Sequence, residues 1–285
     1  LAFSGIVLGN LLSYFTASID WKIFAFSVLT AILLQILSNL ANDYGDSKHG
    51  SDNEKRIGPQ RAVQSGVISA ISMRNAAITV AIMSFVSGLL LLYFSLPIIG
   101  WTGVIILIGL GLLAIWAAFG YTASKKPYGY KGFGDIFVFV FFGLVAVCGS
   151  FYLQLGYLSH IIWPAATAIG LFSAAVLNLN NIRDIENDKA SGKITLAVRL
   201  GLRKAKIYHA LLILGGILFS VFFLNYVYSD SWHWFFALPL LLVFASVLKI
   251  YQAKSSQALY PMLKQLSLAV LLFVISLGIS FFLIK

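Results

Sequence analysis

Apolar stretches of roughly twenty residues recur along this chain from end to end. A helix of that length spans about 30 Å, the thickness of a bilayer's hydrocarbon core. Inside lipid, backbone N–H and C=O groups must be satisfied by a helix or a closed barrel. The short alternating segments of a barrel are missing. The chain therefore reads as an all-α polytopic membrane protein with nine transmembrane helices, at 1–18, 21–41, 67–95, 98–120, 135–155, 161–179, 207–227, 233–250 and 265–284. Only 11% of residues are charged, against about 25% in soluble domains. Residues 1–285 read as one integral-membrane domain. Because it opens at Leu1 without a Met, its natural N-terminus is expected upstream. The single cysteine, Cys148, cannot form an internal disulfide and sits in an apolar run as a core residue.

Charge orients the chain. The polar loops 42–66, 121–134, 180–206 and 251–264 follow the even spans, so all lie on one face, and they and their flanks hold eighteen of the twenty bases; only Lys22 and Lys285 fall opposite. The positive-inside rule makes that face cytoplasmic, with the start of the chain inside and its C-terminus outside. Trp21, Trp101, Trp163, Trp232 and Trp234 mark the other edge, where an interfacial aromatic belt belongs. The net charge of +10 is thus largely a cytoplasmic-face property suited to anionic lipid heads. Membrane lipids are expected partners and nucleic acid is not.

The acids are fewer and more selective. Of ten Asp and Glu, seven fall in two clusters, NDYGDSKHGSDNE (42–54) and RDIEND (183–188), each beginning where an apolar span ends. A carboxylate near a membrane helix is costly, about 2.5–3.5 kcal/mol at the centre on insertion scales. Either cluster alone would pass for a solvated loop, but two on the same face favour a shared site. Asp43 and Asp46 are spaced i, i+3. If the sixth span continues, Asp184 and Asp188 are spaced i, i+4 and lie about 5–6 Å apart. Such pairs repel unless a cation stands between them. Hard oxygen donors of this kind, with Asn42 and Asn181 beside them, suit Mg²⁺. Zinc is disfavoured, because His49, His160, His209 and His233 are scattered. A Mg²⁺ or metabolite transporter would place its polar groups near the midplane rather than at span ends.

A third loop, YTASKKPYGYKGFGD (121–135), puts Tyr121 and Lys125 at i, i+4 and adds Lys126, Lys131 and several glycines. Bases and exposed glycine amides can hold phosphate oxygens; a plain juxtamembrane basic loop is the other reading of this segment.

At these residues the chain resembles the UbiA superfamily of intramembrane aromatic prenyltransferases, which have nine membrane helices and two cytoplasmic motifs written NDxxDxxxD and DxxxD. Here the first is Asn42-Asp43-Tyr44-Gly45-Asp46-Ser47-Lys48-His49-Gly50, the second Asp184-Ile185-Glu186-Asn187-Asp188, and Tyr121–Lys125 matches the family's YxxxK. The resemblance covers essentially the whole chain. QILSNLANDYGDSKHGSD and YTASKKPYGYKGFGD are similar to the 1,4-dihydroxy-2-naphthoate polyprenyltransferases of menaquinone synthesis. One position departs: Gly50 stands where the first motif has its last Asp, and Asp52 follows two residues later.

The resemblance implies a polyprenyl diphosphate donor and 1,4-dihydroxy-2-naphthoate as acceptor. It also implies two Mg²⁺ ions, held by Asn42, Asp43 and Asp46 and by Asp184 and Asp188, with Asp52 and Asn181 as further candidates. Asp43, Asp46, Asp184, Asp188, Tyr121 and Lys125 are then the catalytic set. Arg61, Lys125, Lys131 and Arg199 are the diphosphate-binding bases, since four aspartates and a diphosphate exceed what two Mg²⁺ cancel. Within the family, 4-hydroxybenzoate or homogentisate is the alternative acceptor.

Overall fold

The computed structural model describes residues 1–52 and 60–284. Glu54, Lys55, Arg56 and Lys285, which entered the charge assignment, lie outside the described residues. The described chain is helical, in the order α1 (Ala2–Thr16), α2 (Trp21–Lys48), α3 (Ala70–Thr122), α4 (Gly134–Val138), a π-helical stretch (Phe139–Val145), α5 (Ala146–Leu155), α6 (Ile162–Arg183), α7 (Ile185–Ala190), α8 (Leu196–Val227), α9 (Pro239–Gln252) and α10 (Tyr260–Ile284). Among the described residues six helices are long and apolar enough to cross a membrane, or seven if Ser231–Ala237 and Pro239–Gln252, bent by 45°, form one span.

The 53-residue α3 is the outlier, and its sequence explains it. A straight helix of that length would run about 80 Å, far beyond any bilayer. Instead Gly100 takes φ 64°, ψ 176°, a left-handed region that favours glycine. The chain reverses there: Ala77 and Ala118 pack in one cluster with Leu37 of α2, whereas in a straight helix they would stand about 60 Å apart. α2 thus lies against both arms. The larger core is built from α1, α5, α6, α8, α9 and α10 around Phe151, Phe172, Phe223 and Phe273.

Where two membrane helices approach closely, small residues allow it. A Cβ on Gly9 of α1 would come within 2.3 Å of the Val147 carbonyl of α5. The stretch from Gly134 to Leu155 is one continuous span with the π turn inside it. Phe141, Phe142 and Val145 of that turn line the main cavity described below.

At both acidic loops the helices run past the expected span ends into the polar residues. α2 continues through the first motif to Lys48, and α8 begins at Leu196 rather than at 207. Thr195 caps α8, its hydroxyl accepting the Val198 N–H at 3.3 Å.

Candidate active site

Both acidic motifs end their helices by the same device. After α2, the N–H of Ser51 donates to the Asp46 carbonyl at 2.9 Å and that of Gly50 to Ser47 at 3.3 Å. After α7, the N–H of Lys193 donates to the Asp188 carbonyl at 2.8 Å and that of Gly192 to Lys189 at 3.3 Å. These are two Schellman caps, each with its glycine left-handed, at φ 76° for Gly50 and 74° for Gly192. In each, the residue five after a motif aspartate is folded back onto it. The departure at position 50 thus has a physical reason: the cap needs glycine there, and the acid stands at 52 instead.

The two caps are tied together. The Asn187 amide donates to the Ser51 carbonyl at 2.9 Å, and Ser51 Oγ donates to Ser191 Oγ at 3.3 Å. Ser51 also shares a hydrogen bond with the Tyr130 hydroxyl, which donates to Asp46 Oδ1 at 3.0 Å. Lys193, delivered by its cap, then stands between the motifs: its Nζ is 3.5 Å from Asp46 Oδ1 and 3.8 Å from Asp188 Oδ1. Arg61 approaches from the other side, 3.5 Å from Asp46 Oδ2 and 3.4 Å from Asp52 Oδ2. Asp46, Asp188 and Lys193 are all buried.

This burial shapes the charges. It pushes the Asp188 carboxyl up to about 7, with Asp184 and Asp46 adding to the rise and Lys193 opposing it. For Lys193 burial alone would lower the ammonium, but the Asp46 and Asp188 carboxylates outweigh it and hold the group above its usual range. Burial and Asp46 together raise the Tyr130 hydroxyl.

The remaining motif residues are placed differently. The helix breaks at Asp184, yet the Asp188 N–H still reaches its carbonyl at 2.8 Å, which preserves the one-turn spacing. The Asp184 carboxylate is gripped by two nitrogens of the neighbouring Arg183, Nε at 2.7 Å and Nη2. Arg183 in turn lies over the Tyr260 ring, 5.7 Å from its centroid. Asp43 accepts the backbone N–H groups of Ala62 and Val63 at 3.2 and 3.4 Å, so it fixes the turn that presents Arg61. Asn42 Oδ1 accepts from the Thr122 hydroxyl at 3.0 Å. Asn181 is buried in α6, and Glu186 is exposed. Lys125 is exposed just past α3, and Arg199 donates to the Lys131 carbonyl at 2.8 Å. The structure thus gathers Asp46, Asp52, Arg61 and Asp188 into one charge cluster, with Lys125, Lys131 and Arg199 on exposed segments.

Four contributors were not singled out from sequence: Lys193, Tyr130, Ser51 and Asn187. A usable signal was present. Asp46-x-x-x-Gly50-Ser51 and Asp188-x-x-x-Gly192-Lys193 repeat one spacing, and glycine four residues after a helical acid announces a cap that returns the next residue to it.

Two cavities adjoin at Asn42. A polar one of about 300 Å³ is lined by Asn39, Asn42, Asp43 and Arg61. An apolar one of about 340 Å³ runs between α2, α3 and the span that begins at Gly134, from Asn42 and Tyr121 to Leu92 and Leu153. Asn42 lines both. Tyr128, stacked on Phe137 with centroids 4.0 Å apart, forms an aromatic wall with Tyr121 and Phe141.

Among the described residues no three His, Cys, Asp or Glu converge on one point as an all-protein metal cage would require. The donors nevertheless fit Mg²⁺, which binds through one or two carboxylates and shares its remaining positions with phosphate and water. Acids from two helices already face one cationic group, and the buried Asn187 Oδ1 has no hydrogen-bond partner.

Residues 2–269 match the UbiA prenyltransferase family. The chain is 41% identical to the 1,4-dihydroxy-2-naphthoate octaprenyltransferase of Escherichia coli, over 98% of this chain and 92% of that protein. It is 43% identical to the enzyme of the same name from Haemophilus influenzae, over 95% of this chain and 88% of that one. Among solved structures, a UbiA homolog from Archaeoglobus fulgidus bound to DMAPP and Mg²⁺ superposes with a TM-score of 0.62 at 15% identity, covering 100% of this chain and 96% of the other.

Proposed function

The chain belongs to the UbiA prenyltransferase family, and from that premise we propose that it transfers a polyprenyl group from polyprenyl diphosphate to 1,4-dihydroxy-2-naphthoate, with loss of CO₂, to give demethylmenaquinol in menaquinone (vitamin K2) biosynthesis. One observation carries this reading. A polar cavity bearing Asp43 and Arg61 and an apolar cavity lined by leucines and phenylalanines share Asn42 as a common wall. That is the shape of a ligand with a charged head and a long hydrocarbon tail. The names of the relatives at 41% and 43% identity supply the acceptor.

The residues divide the work as follows. Asn42, Asp43 and Asp46 would hold one Mg²⁺ and Asp184 and Asp188 a second, with Asp52, Asn181 and Asn187 as further oxygen donors. Bound Mg²⁺ supplies Lewis-acid stabilisation of the charge on the departing diphosphate. Arg61 and Lys193, already seated on motif carboxylates, offer N–H donors to the same oxygens, and Lys125, Lys131 and Arg199 complete the balance of charge. The allylic C–O bond breaks with its electron pair leaving on the diphosphate. The aromatic wall and the apolar cavity keep water from the allylic cation, and Tyr121 presents its ring or hydroxyl at the junction. The naphthoate attacks through the carbon that bears its carboxylate, and expulsion of CO₂ restores the aromatic ring.

The same reading places the protein in the plasma (inner) membrane with the acidic loops and N-terminus inside. The loops 42–66, 121–134 and 180–206 support it, since their Arg61, Tyr130 and Lys193 meet at one end of the bundle. Trp21, Trp101 and Trp232 are largely exposed and Trp163 about half, as belt residues are, whereas Trp234 is half-buried against the core. The deciding experiment offers membranes one labelled polyprenyl diphosphate with 1,4-dihydroxy-2-naphthoate, 4-hydroxybenzoate or homogentisate in turn. Product is expected from the naphthoate alone; transfer to either other acid in its place would overturn the assignment.

A further inference from the structure

The wall of the apolar cavity contains polar side chains of two kinds. Ser27 donates to the Ile23 carbonyl at 2.7 Å, Thr30 bonds Ser87 at 2.8 Å, Tyr128 donates to the Ala117 carbonyl at 2.9 Å and Ser150 to that of Ala146 at 2.6 Å. Gln35 and Ser38 line the same cavity, are half-buried, and make no side-chain hydrogen bond with any described residue. Gln35 lies halfway along α2, where an unpaired primary amide is at its most costly.

Their spacing is informative. Gln35, Ser38 and Asn42 are i, i+3 and i+7 and so share one face of α2. Ser38 lies about one turn below Asn42, and Gln35 about one turn further. The cavity also carries the aromatic wall of Tyr128, Phe137 and Phe141. A polar strip and a stack of rings in one slot suit a flat ring bearing oxygen substituents. A prenyl tail has no hydrogen-bonding atom, so it takes the stretch of the cavity toward Gly149 and Leu153, and the ring takes the stretch beside Gln35 and Ser38.

We propose that Gln35 and Ser38 bind the oxygen substituents of the aromatic acceptor, and that they select which ring carbon faces the allylic donor. The inference rests on the prenyl-transfer reading above. Gln35 offers both a donor and an acceptor, Ser38 a hydroxyl that serves as either. A site built to hydrogen-bond a hydroxyl rejects the analogue that lacks it far more strongly than a greasy pocket does.

The test uses the full chain in nanodiscs, with Gln35→Met and Ser38→Ala as variants and Gln35→Glu as a third. The KM for 1,4-dihydroxy-2-naphthoate is expected to rise at least tenfold in the Met and Ala variants, while the KM for polyprenyl diphosphate moves less than twofold. The unchanged donor KM also shows that the variants are folded. Wild type is expected to discriminate against 1-hydroxy-2-naphthoate, and one of the variants to lose that discrimination. A rise in the donor KM instead, or no change in either, overturns the acceptor assignment while leaving the proposed reaction standing. A wild-type enzyme that prenylates no aromatic acid overturns both. Direct titration of the naphthoate by intrinsic fluorescence, without donor, gives a second readout: binding at least tenfold weaker in the variants is expected, and equal binding counts against the proposal.

Discussion

The Lys193 ammonium stands 3.5 Å from the Asp46 carboxylate, although Asp46 belongs to the first acidic motif and Lys193 follows the second. It stands 3.8 Å from Asp188 as well, so one buried cation is shared by both acidic helix ends. Removing one partner of a buried pair costs on the order of 3–5 kcal/mol, because the remaining charge is stranded. Lys193→Met is therefore expected to unfold at a clearly lower temperature than wild type in detergent with EDTA. Mg²⁺ should restore much of the difference, since it can take the place of the ammonium. Equal melting temperatures in EDTA would show that the lysine carries no such load.

Gly50 and Asp52 should be read as a unit. A side chain at position 50 would be held at φ 76°, which costs an L-residue roughly 1–2 kcal/mol. Writing the family's aspartate back, as Gly50→Asp, should thus lower both stability and prenyl transfer rather than improve them. Asp52→Asn leaves the backbone alone but weakens the hold on Arg61, whose Nε lies 3.4 Å from the carboxylate. A severalfold increase in the Mg²⁺ concentration needed for half-maximal rate is expected. If Mg²⁺ dependence is unchanged, Asp52 is only a loop charge.

Helical class, acidic motifs and their common face were legible in the sequence because each depends on periodicity and charge, which are local. The extension of α2 through Asp46 was not, since a polar run of residues looks like a loop until its cap is recognised. The break between the spans at 67–95 and 98–120 was legible, but its place at Gly100 was not, because the apolar run continues on both sides of that glycine. Lys193 was counted among the loop bases, but its partner Asp46 lies in a distant segment. Only the pairing of the two Schellman caps, through Asn187 and Ser51, brings them together.

Neutralising Asp46 or Asp188 is expected to remove prenyl transfer while leaving membrane insertion intact. Asp46→Asn keeps the shape of a group that is buried against Tyr130, Arg61 and Lys193 but removes the charge. Loss of one electrostatic contact to a developing anion typically costs about 10²–10³ in rate, and a lost metal ligand at least that. Asp184→Asn differs, because its carboxylate also anchors Arg183; it should lose activity and some thermal stability together. Single-turnover rates, with crosslinking or glycosylation mapping to confirm insertion, check all three. Full activity in EDTA-stripped membranes would sink the Mg²⁺ assignment.

The far end of the apolar cavity sets how much tail can be enclosed. Gly149 lines it, and a Cβ added there meets nothing within 4 Å. A larger side chain at that position is therefore accommodated by the cavity itself rather than by shifting the helices. Gly149→Leu should fold normally, retain transfer from short donors such as geranyl diphosphate, and raise the KM for long polyprenyl donors about tenfold relative to the short ones. Gly143 is the contrast: a Cβ there would fall 2.5 Å from the Gly170 Cα, so Gly143→Ala should impair folding whatever the donor. Comparing donors of increasing length in the two variants separates loss of cavity volume from loss of packing. A Gly149→Leu enzyme that treats short and long donors alike would place the tail elsewhere, between helices and open to lipid.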